Sequence, residues 1–205
     1  MSSNNAILRV CVYCGSSEES DQAYLDSAYQ LGGILAAHGI TTVYGGGAIG
    51  SMGRLANGAL AHGGKVVGVI PKFMQDLEWG HGGLTELQVV EDMRQRKHQM
   101  MLGADAVVAL PGGSGTLEEL LEAVTLKRLG IYLNPIVLVN VQAFFEPLLA
   151  LFRHCIEHRF MDERHAAMWQ VADGPEGVLE AIRASAPWSA GAREFATVRP
   201  EKTKP

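Results

Sequence analysis

The stretch ALPGGSGTLEELLE sets acidic residues against a site built for an anion. An apolar run, Ala106 to Leu110, feeds a turn of Pro111, Gly112, Gly113, Ser114, Gly115 and Thr116, and helical spacing follows. The free N–H groups of such a turn and the positive end of the helix dipole make a seat for an anion. Yet Glu118, Glu119 and Glu122 stand within two helical turns of it, close enough to repel a bound phosphate. Two readings of Glu119 stay open on the residues alone. Thr116 to Glu119 spells a capping box, in which the glutamate accepts from the Thr116 N–H, or the carboxylate meets positive charge that a ligand develops during a reaction. A second cluster, Arg94, Arg96 and Lys97 in VVEDMRQRKHQM, opens another helix. Cations are unfavourable beside a helix N-terminus, so these are either solvated charges or are offset by something anionic or polar.

Two further turns at strand ends offer backbone to an anion. CGSS, Cys14 to Ser17, supplies Gly15 and the hydroxyls of Ser16 and Ser17, and YGGGAIGSMG supplies Gly45, Gly46, Gly47 and Gly50. Gly45, Gly47 and Gly50 spell GxGxxG after a strand and before a helix. A dinucleotide site also needs an acid at the end of the next strand, which here ends GVIPKF, and no phosphate-loop GxxxxGK[ST] occurs. Glycines kept only for tight turns would explain one such turn; three at strand ends point to a ligand.

These turns need strands to carry them, and apolar runs of strand length alternate with segments of helical period. The pattern predicts an α/β fold: a Rossmann-like open parallel sheet of about six to seven strands with helices on both faces. Strands are expected at Ile7 to Tyr13, Thr41 to Tyr44, Lys65 to Ile70, Leu87 to Val90, Ala106 to Leu110, Pro135 to Val139 and Trp169 to Ala172. Helices are expected at Asp21 to His38, stopped by Gly39, and at about Ser51 to His62, Asp92 to Leu102, Thr116 to Leu129, Val141 to His158 and Pro175 to Ser185. Lys72 to Thr85 reads as a mobile surface loop. Residues 1 to 186 read as a single nucleotide-binding domain, with a poorly ordered tail beyond.

With 205 residues, 47% of them hydrophobic, the chain can bury one substantial core. A net charge of -5 argues against a nucleic-acid partner held along a broad surface, which needs a basic face. A start without a signal-peptide pattern, the lack of a membrane-length apolar run and three cysteines point to the cytoplasm. Cys11 and Cys14 form a CxxC, but in a strand, where positions i and i+3 face opposite ways, so both are expected as buried core thiols. His154, His158 and His165 have metal-like spacing without a carboxylate or cysteine cluster and read as solvated or interfacial.

On these residues the sequence resembles the LOG ("Lonely Guy") family of phosphoribohydrolases, once labelled possible lysine decarboxylases. The hallmark PGGxGTxxE reads here Pro111 through Glu119, and the GGG loop, GVIP, CGSS and DM..RK appear in the family's order, over roughly residues 7 to 185. No lysine stands out as a Schiff-base site. The resemblance implies hydrolysis of the N-glycosidic bond of N6-modified AMP or AMP, giving free base and ribose 5-phosphate, with Arg96 and Glu119 as the catalytic pair. It further implies substrate contacts from Gly15, Ser16, Gly45, Gly46, Gly47, Gly50, Met93, Lys97, Pro111, Gly112, Gly113, Ser114, Gly115, Thr116 and Glu122. Neither a metal nor an organic cofactor is called for, and a homodimer is expected. Arg94 departs from the family, which commonly has histidine there. The alternative is a nucleotide-binding or carrier protein of the same fold that does not hydrolyse. A nucleoside monophosphate also answers the conflict of charges, because it carries a dianion at one end and an anomeric carbon that becomes cationic as the base departs.

Overall fold

The computed structural model describes residues 7–77 and 79–198. Seven strands, β1 (Arg9–Tyr13), β2 (Thr41–Tyr44), β3 (Val66–Pro71), β4 (Glu86–Val90), β5 (Ala106–Ala109), β6 (Ile136–Val139) and β7 (Gln170–Ala172), form one sheet in the order β4-β3-β2-β1-β5-β6-β7. Every pairing is parallel. The central strands are buried on both faces, which is why they read as unbroken apolar runs. In β1, Val10 and Val12 enter one core, while Cys11 and Tyr13 enter the other.

The first core is covered by α1 (Gln22–Ala37), α2 (Gly50–Ala61) and, near the C-terminus, α7 (Val178–Ala184). A short α3 (Lys72–Asp76) follows β3. The second core lies under α4 (Met93–Met101), α5 (Ser114–Arg128) and α6 (Glu146–Glu157), through Met100, Leu120, Ala123 and Phe152. The chain steps outward from β1 to β4, then returns through α4 to pair β5 with the other side of β1. The strand order therefore reverses between β1 and β5, and in open parallel sheets that crevice at the carboxyl ends is where ligands bind.

Cys11 and Cys14 are buried in opposite cores, and burial pushes both thiols far above their ordinary range, so they are inert packing groups. Gly39 takes the left-handed conformation, φ +69°, just past the end of α1.

Three expectations are corrected. The helix expected over Val141 to His158 is broken. Val141–Ala143 is a single 3-10 turn in which Gln142 and Ala143 have φ of 51° and 57°. Asn140 imposes the break: its Oδ1 accepts from the Phe145 N–H at 2.7 Å and its Nδ2 donates to Glu146 at 2.9 Å. The segment after β3 is not wholly loop, since α3 leads into a clip in which Gly80 bridges Gly47 and the Ala48 N–H donates to the Trp79 carbonyl. From Ala186 to Val198 the chain packs on the domain rather than trailing from it. The Trp188 Nε1–H donates to the Lys127 carbonyl at 2.8 Å, Arg193 Nε donates to the Leu129 carbonyl, Ala192 is buried, and Phe195 lies under the Arg164 guanidinium. Residues 199–205 of the expected tail lie outside the described residues.

Candidate active site

Three strand ends meet at the β1/β5 crevice. The turn after β1 touches the turn after β5. A Cβ on Gly112 would stand 2.9 Å from the Gly15 nitrogen and 2.7 Å from Thr116 Cβ, so only glycine lets the two backbones meet. The turn after β2 closes the third side: Gly50 opens α2 against the backbone of Ser16 and Ser17, and the Met52 N–H donates to the Gly15 carbonyl.

Between them lies a cavity of about 260 Å³ lined by Gly15, Ser16, Ser51, Pro111, Gly112 and Gly113, with Tyr24 and Phe144 at its side. The two helices that start here, α2 and α5, have no side-chain cap. Apart from the Met52 N–H, their first N–H groups are thus available, and Ser51 is buried at the cavity wall. Uncapped helix starts around a small cavity suit an anion of phosphate size.

A buried ion pair joins α4 to α5. Arg96 and Glu119 are each 5% exposed, with Nη1 and Oε1 4.0 Å apart. The guanidinium is fixed by the sheet: Nε donates to the Val69 carbonyl at 3.1 Å and Nη2 to the Gly45 carbonyl at 2.7 Å, with Met93 Sδ 3.9 Å from Nη1. Any side chain at position 45 would displace it, since a Cβ there falls 3.0 Å from Cζ. Burial raises the Glu119 pKa to about 7 against the pull of Arg96, placing the carboxyl where it both holds negative charge and exchanges a proton near neutrality. The capping-box reading of Glu119 fails on geometry. The helix starts at Ser114 with Gly113 as its cap, so Thr116 lies inside the first turn and Glu119 in the second.

A family model described as possible lysine decarboxylase matches residues 52–182. A probable cytokinin riboside 5'-monophosphate phosphoribohydrolase of Oryza sativa subsp. japonica is 40% identical over 179 residues, 87% of this chain and 72% of that one. A cytokinin riboside 5'-monophosphate phosphoribohydrolase of Arabidopsis thaliana is 43% identical over 153 residues, 75% and 72% of the two chains. The chain belongs to the LOG family. A further rice relative is 46% identical over 144 residues, and the match spans 65% of its length. Among solved structures, the molybdenum cofactor binding protein of Rippkaea orientalis superposes with a TM-score of 0.67 at 24% identity, covering 86% of this chain and 96% of that one. The molybdenum cofactor carrier protein of Chlamydomonas reinhardtii gives 0.66 at 23%, covering 86% and 96%. These two likenesses concern the fold alone.

Within this LOG-family chain the hallmark residues are brought together in part. Pro111, Gly112 and Gly113 line the cavity, whereas Ser114 and Gly115 form the start of α5, and Thr116 is buried against Gly112. Gly46 and Gly47 face the segment after α3, with the His81 N–H donating to the Gly46 carbonyl. Lys97 and Glu122 face each other rather than the cavity: Lys97 Nζ donates to Glu118 and, at 2.8 Å, to Glu122. Arg94 lies on the outer side of α4, on a cleft that Lys97, Glu122 and Tyr132 also line.

Ser51, Ser20, Tyr24 and Phe144 line the anion cavity and were not singled out in the sequence. Ser51 had a legible signal, a hydroxyl in the first turn of a helix following a glycine loop; Phe144 had none. The histidines do not gather: the rings of His154 and His158 lie tilted to each other with centres 4.2 Å apart on the surface. His165, read as solvated or interfacial, is fully buried, its Nδ1 accepting from the Asp162 N–H and its ring under Phe195. Among the described residues no group of three metal ligands forms, and no helix is long and apolar enough to cross a membrane.

Proposed function

We propose that this protein hydrolyses the N-glycosidic bond of purine nucleoside 5'-monophosphates, AMP or N6-modified AMP, to free base and ribose 5-phosphate. The observation that carries this reading is the buried Glu119 carboxyl, raised to about 7 and paired with Arg96, on the helix whose uncapped start lines a phosphate-sized cavity. The relatives named for the same reaction support it.

In the reaction the bond from the anomeric carbon to the purine nitrogen breaks, its electron pair leaving with the base. Water adds its oxygen to the anomeric carbon and one of its protons ends on the base. With the phosphate held at the β1, β2 and β5 turns, the ribose spans toward Glu119. The ionised carboxylate then stabilises the cationic sugar and takes the proton of the attacking water. Arg96 keeps its charge and cannot act as the acid, so its Nη1 orients Glu119 and the sugar oxygens while its other nitrogens stay on the sheet carbonyls.

The test is product analysis on AMP, N6-isopentenyl-AMP and adenosine. Free base should appear from the monophosphates, and adenosine should react about 10³-fold more slowly or worse in kcat/KM, because binding energy at the phosphate positions the sugar. Binding without release of base would establish the non-hydrolytic carrier instead, and equal rates for AMP and adenosine would remove the phosphate seat from the mechanism.

We also propose a homodimer in the cytoplasm. Leu102, Leu121, Ile131 and Leu133 are exposed, and three of them border the cleft outside α4 and α5. A second copy covering them would remove apolar surface that a monomer leaves in water. Light scattering should give twice the chain mass at micromolar concentration, and a fully active monomer would count against the dimer.

A further inference from the structure

The aromatic side of the phosphate-sized cavity has no task in the proposed mechanism. Tyr24, in the first turn of α1, and Phe144, just before α6, both line it, their rings edge-to-face with centres 5.7 Å apart. Phe144 is delivered there by an unusual backbone. Gln142 and Ala143 take the left-handed conformation, with φ of 51° and 57°, which costs energy in residues other than glycine. Both side chains are exposed, so their own packing does not offset that cost. What the turn secures is the placement of the two rings after it: Phe145 enters the second core, and Phe144 meets Tyr24 at the cavity. Asn140 holds the turn, its side chain accepting from the Phe145 N–H and its own N–H donating to the Ala172 carbonyl at 2.7 Å.

We propose that Phe144, packed on Tyr24, is a specificity-determining residue: the two rings end the cavity after one phosphoryl group, so that the site takes nucleoside monophosphates and rejects diphosphates. This rests on the assignment of the cavity to the 5'-phosphate.

The order of the strands supports this. Arg96 hangs on the carbonyls of Val69 in β3 and Gly45 after β2, the cavity lies at the ends of β1 and β5, and Phe144 follows β6. In the order β3-β2-β1-β5-β6 the rings stand on the far side of the cavity from Arg96. With the ribose reaching toward the Arg96–Glu119 pair, a second phosphoryl group would point at the rings. That side is poor in donors. Ser20, four residues before Tyr24, already donates its hydroxyl to the Ser17 carbonyl at 3.2 Å, and among the described residues no lysine or arginine lines the cavity. Pressing an anion against two rings strips its hydration without replacing it. The uncapped helix starts of α2 and α5 serve the first phosphoryl group only.

The competing role for Phe144 is packing of α1 against the chain before α6 and no more; for Tyr24 it is a hydroxyl contact to the phosphate. Calorimetric titration with AMP and with ADP, without added magnesium, separates them in the wild type and in Phe144→Ala, Tyr24→Leu and Tyr24→Phe. The wild type should bind AMP about 30-fold more tightly than ADP, or better. Phe144→Ala should raise the affinity for ADP itself and narrow the ratio about tenfold or more. A gain of binding is a result that lost packing alone does not produce. Tyr24→Leu should move the ratio the same way, which keeps the test open where Phe144→Ala does not fold. Tyr24→Phe keeps the ring, so its ratio should stay as in the wild type. An unchanged ratio in Phe144→Ala, with both affinities falling, would make Phe144 a packing residue and overturn the proposal, and so would a wild type that binds ADP as tightly as AMP. A ratio that collapses in Tyr24→Phe would give the discrimination to the hydroxyl and overturn it too. The titrations need no turnover, so a wild-type protein that binds AMP but releases no base counts only against the functional reading.

Discussion

Glu119→Gln is expected to lower kcat for AMP by about 10²-fold or more while making the protein more stable above neutral pH. On the proposed mechanism, the first effect follows from removing the buried carboxylate that would face the developing cation. The second follows from linkage. The carboxyl has a pKa of about 7 in the folded protein against its ordinary 4.5, so between those values the native state binds more protons than the unfolded chain. Stability therefore falls as pH rises through this window and stays low above it. A shift of this size costs on the order of 3 kcal/mol once the group is ionised. Glutamine has no such titration and can keep an oxygen toward Arg96. The variant should melt several degrees above wild type at about pH 8, with the gap closing as pH falls toward about 4.5. Thermal melts at both pH values, read with kcat, check both halves. Equal turnover would take Glu119 out of the mechanism, and a gap that does not change with pH would mean that burial leaves its carboxyl unperturbed.

That opposition between stability and activity bears on how far the sequence alone could go. Strand positions were legible because β1, β2, β3, β5 and β6 are covered on both faces and must be apolar along their length. The break before α6 was not legible, because it depends on the Asn140 side chain capping a backbone that periodicity sees as continuous. Nor was the docking of the last described segment: its composition is that of a tail, and one indole N–H on the Lys127 carbonyl, with Phe195 under Arg164, holds it down. The three glycine turns announced an anion site through their chemistry. The pairing of Arg96 with Glu119 came from family resemblance, since no spacing rule joins residues on two separate helices. The residues alone also left Glu119 open as a helix cap, and only the start of α5 at Ser114 removes that reading. Arg94, Arg96 and Lys97 at a helix start asked for something anionic or polar, and two side chains of the neighbouring helix meet Lys97 in that way.

Gly112→Ala is expected to reduce kcat/KM for AMP by about 10²-fold or more while changing adenosine hydrolysis much less. The added methyl would sit 2.7 Å from Thr116 Cβ and 2.9 Å from the Gly15 nitrogen, inside the contact distance of both. Thr116 is buried in the first turn of α5 and cannot swing into solvent, so the strain falls on the contact between the β1 and β5 turns. Widening that contact moves the N–H groups that would hold the phosphate. It leaves Arg96 in place, because its guanidinium is tied to the Val69 and Gly45 carbonyls on the other strands. The ratio of AMP to adenosine hydrolysis is the informative quantity, since a variant that merely folds less well loses both activities together. A drop in that ratio assigns the Gly15–Gly112 contact to the phosphate. An unchanged ratio at reduced overall rate would move the phosphate to the β2 turn, where Gly50 and Ser51 offer the other uncapped helix start.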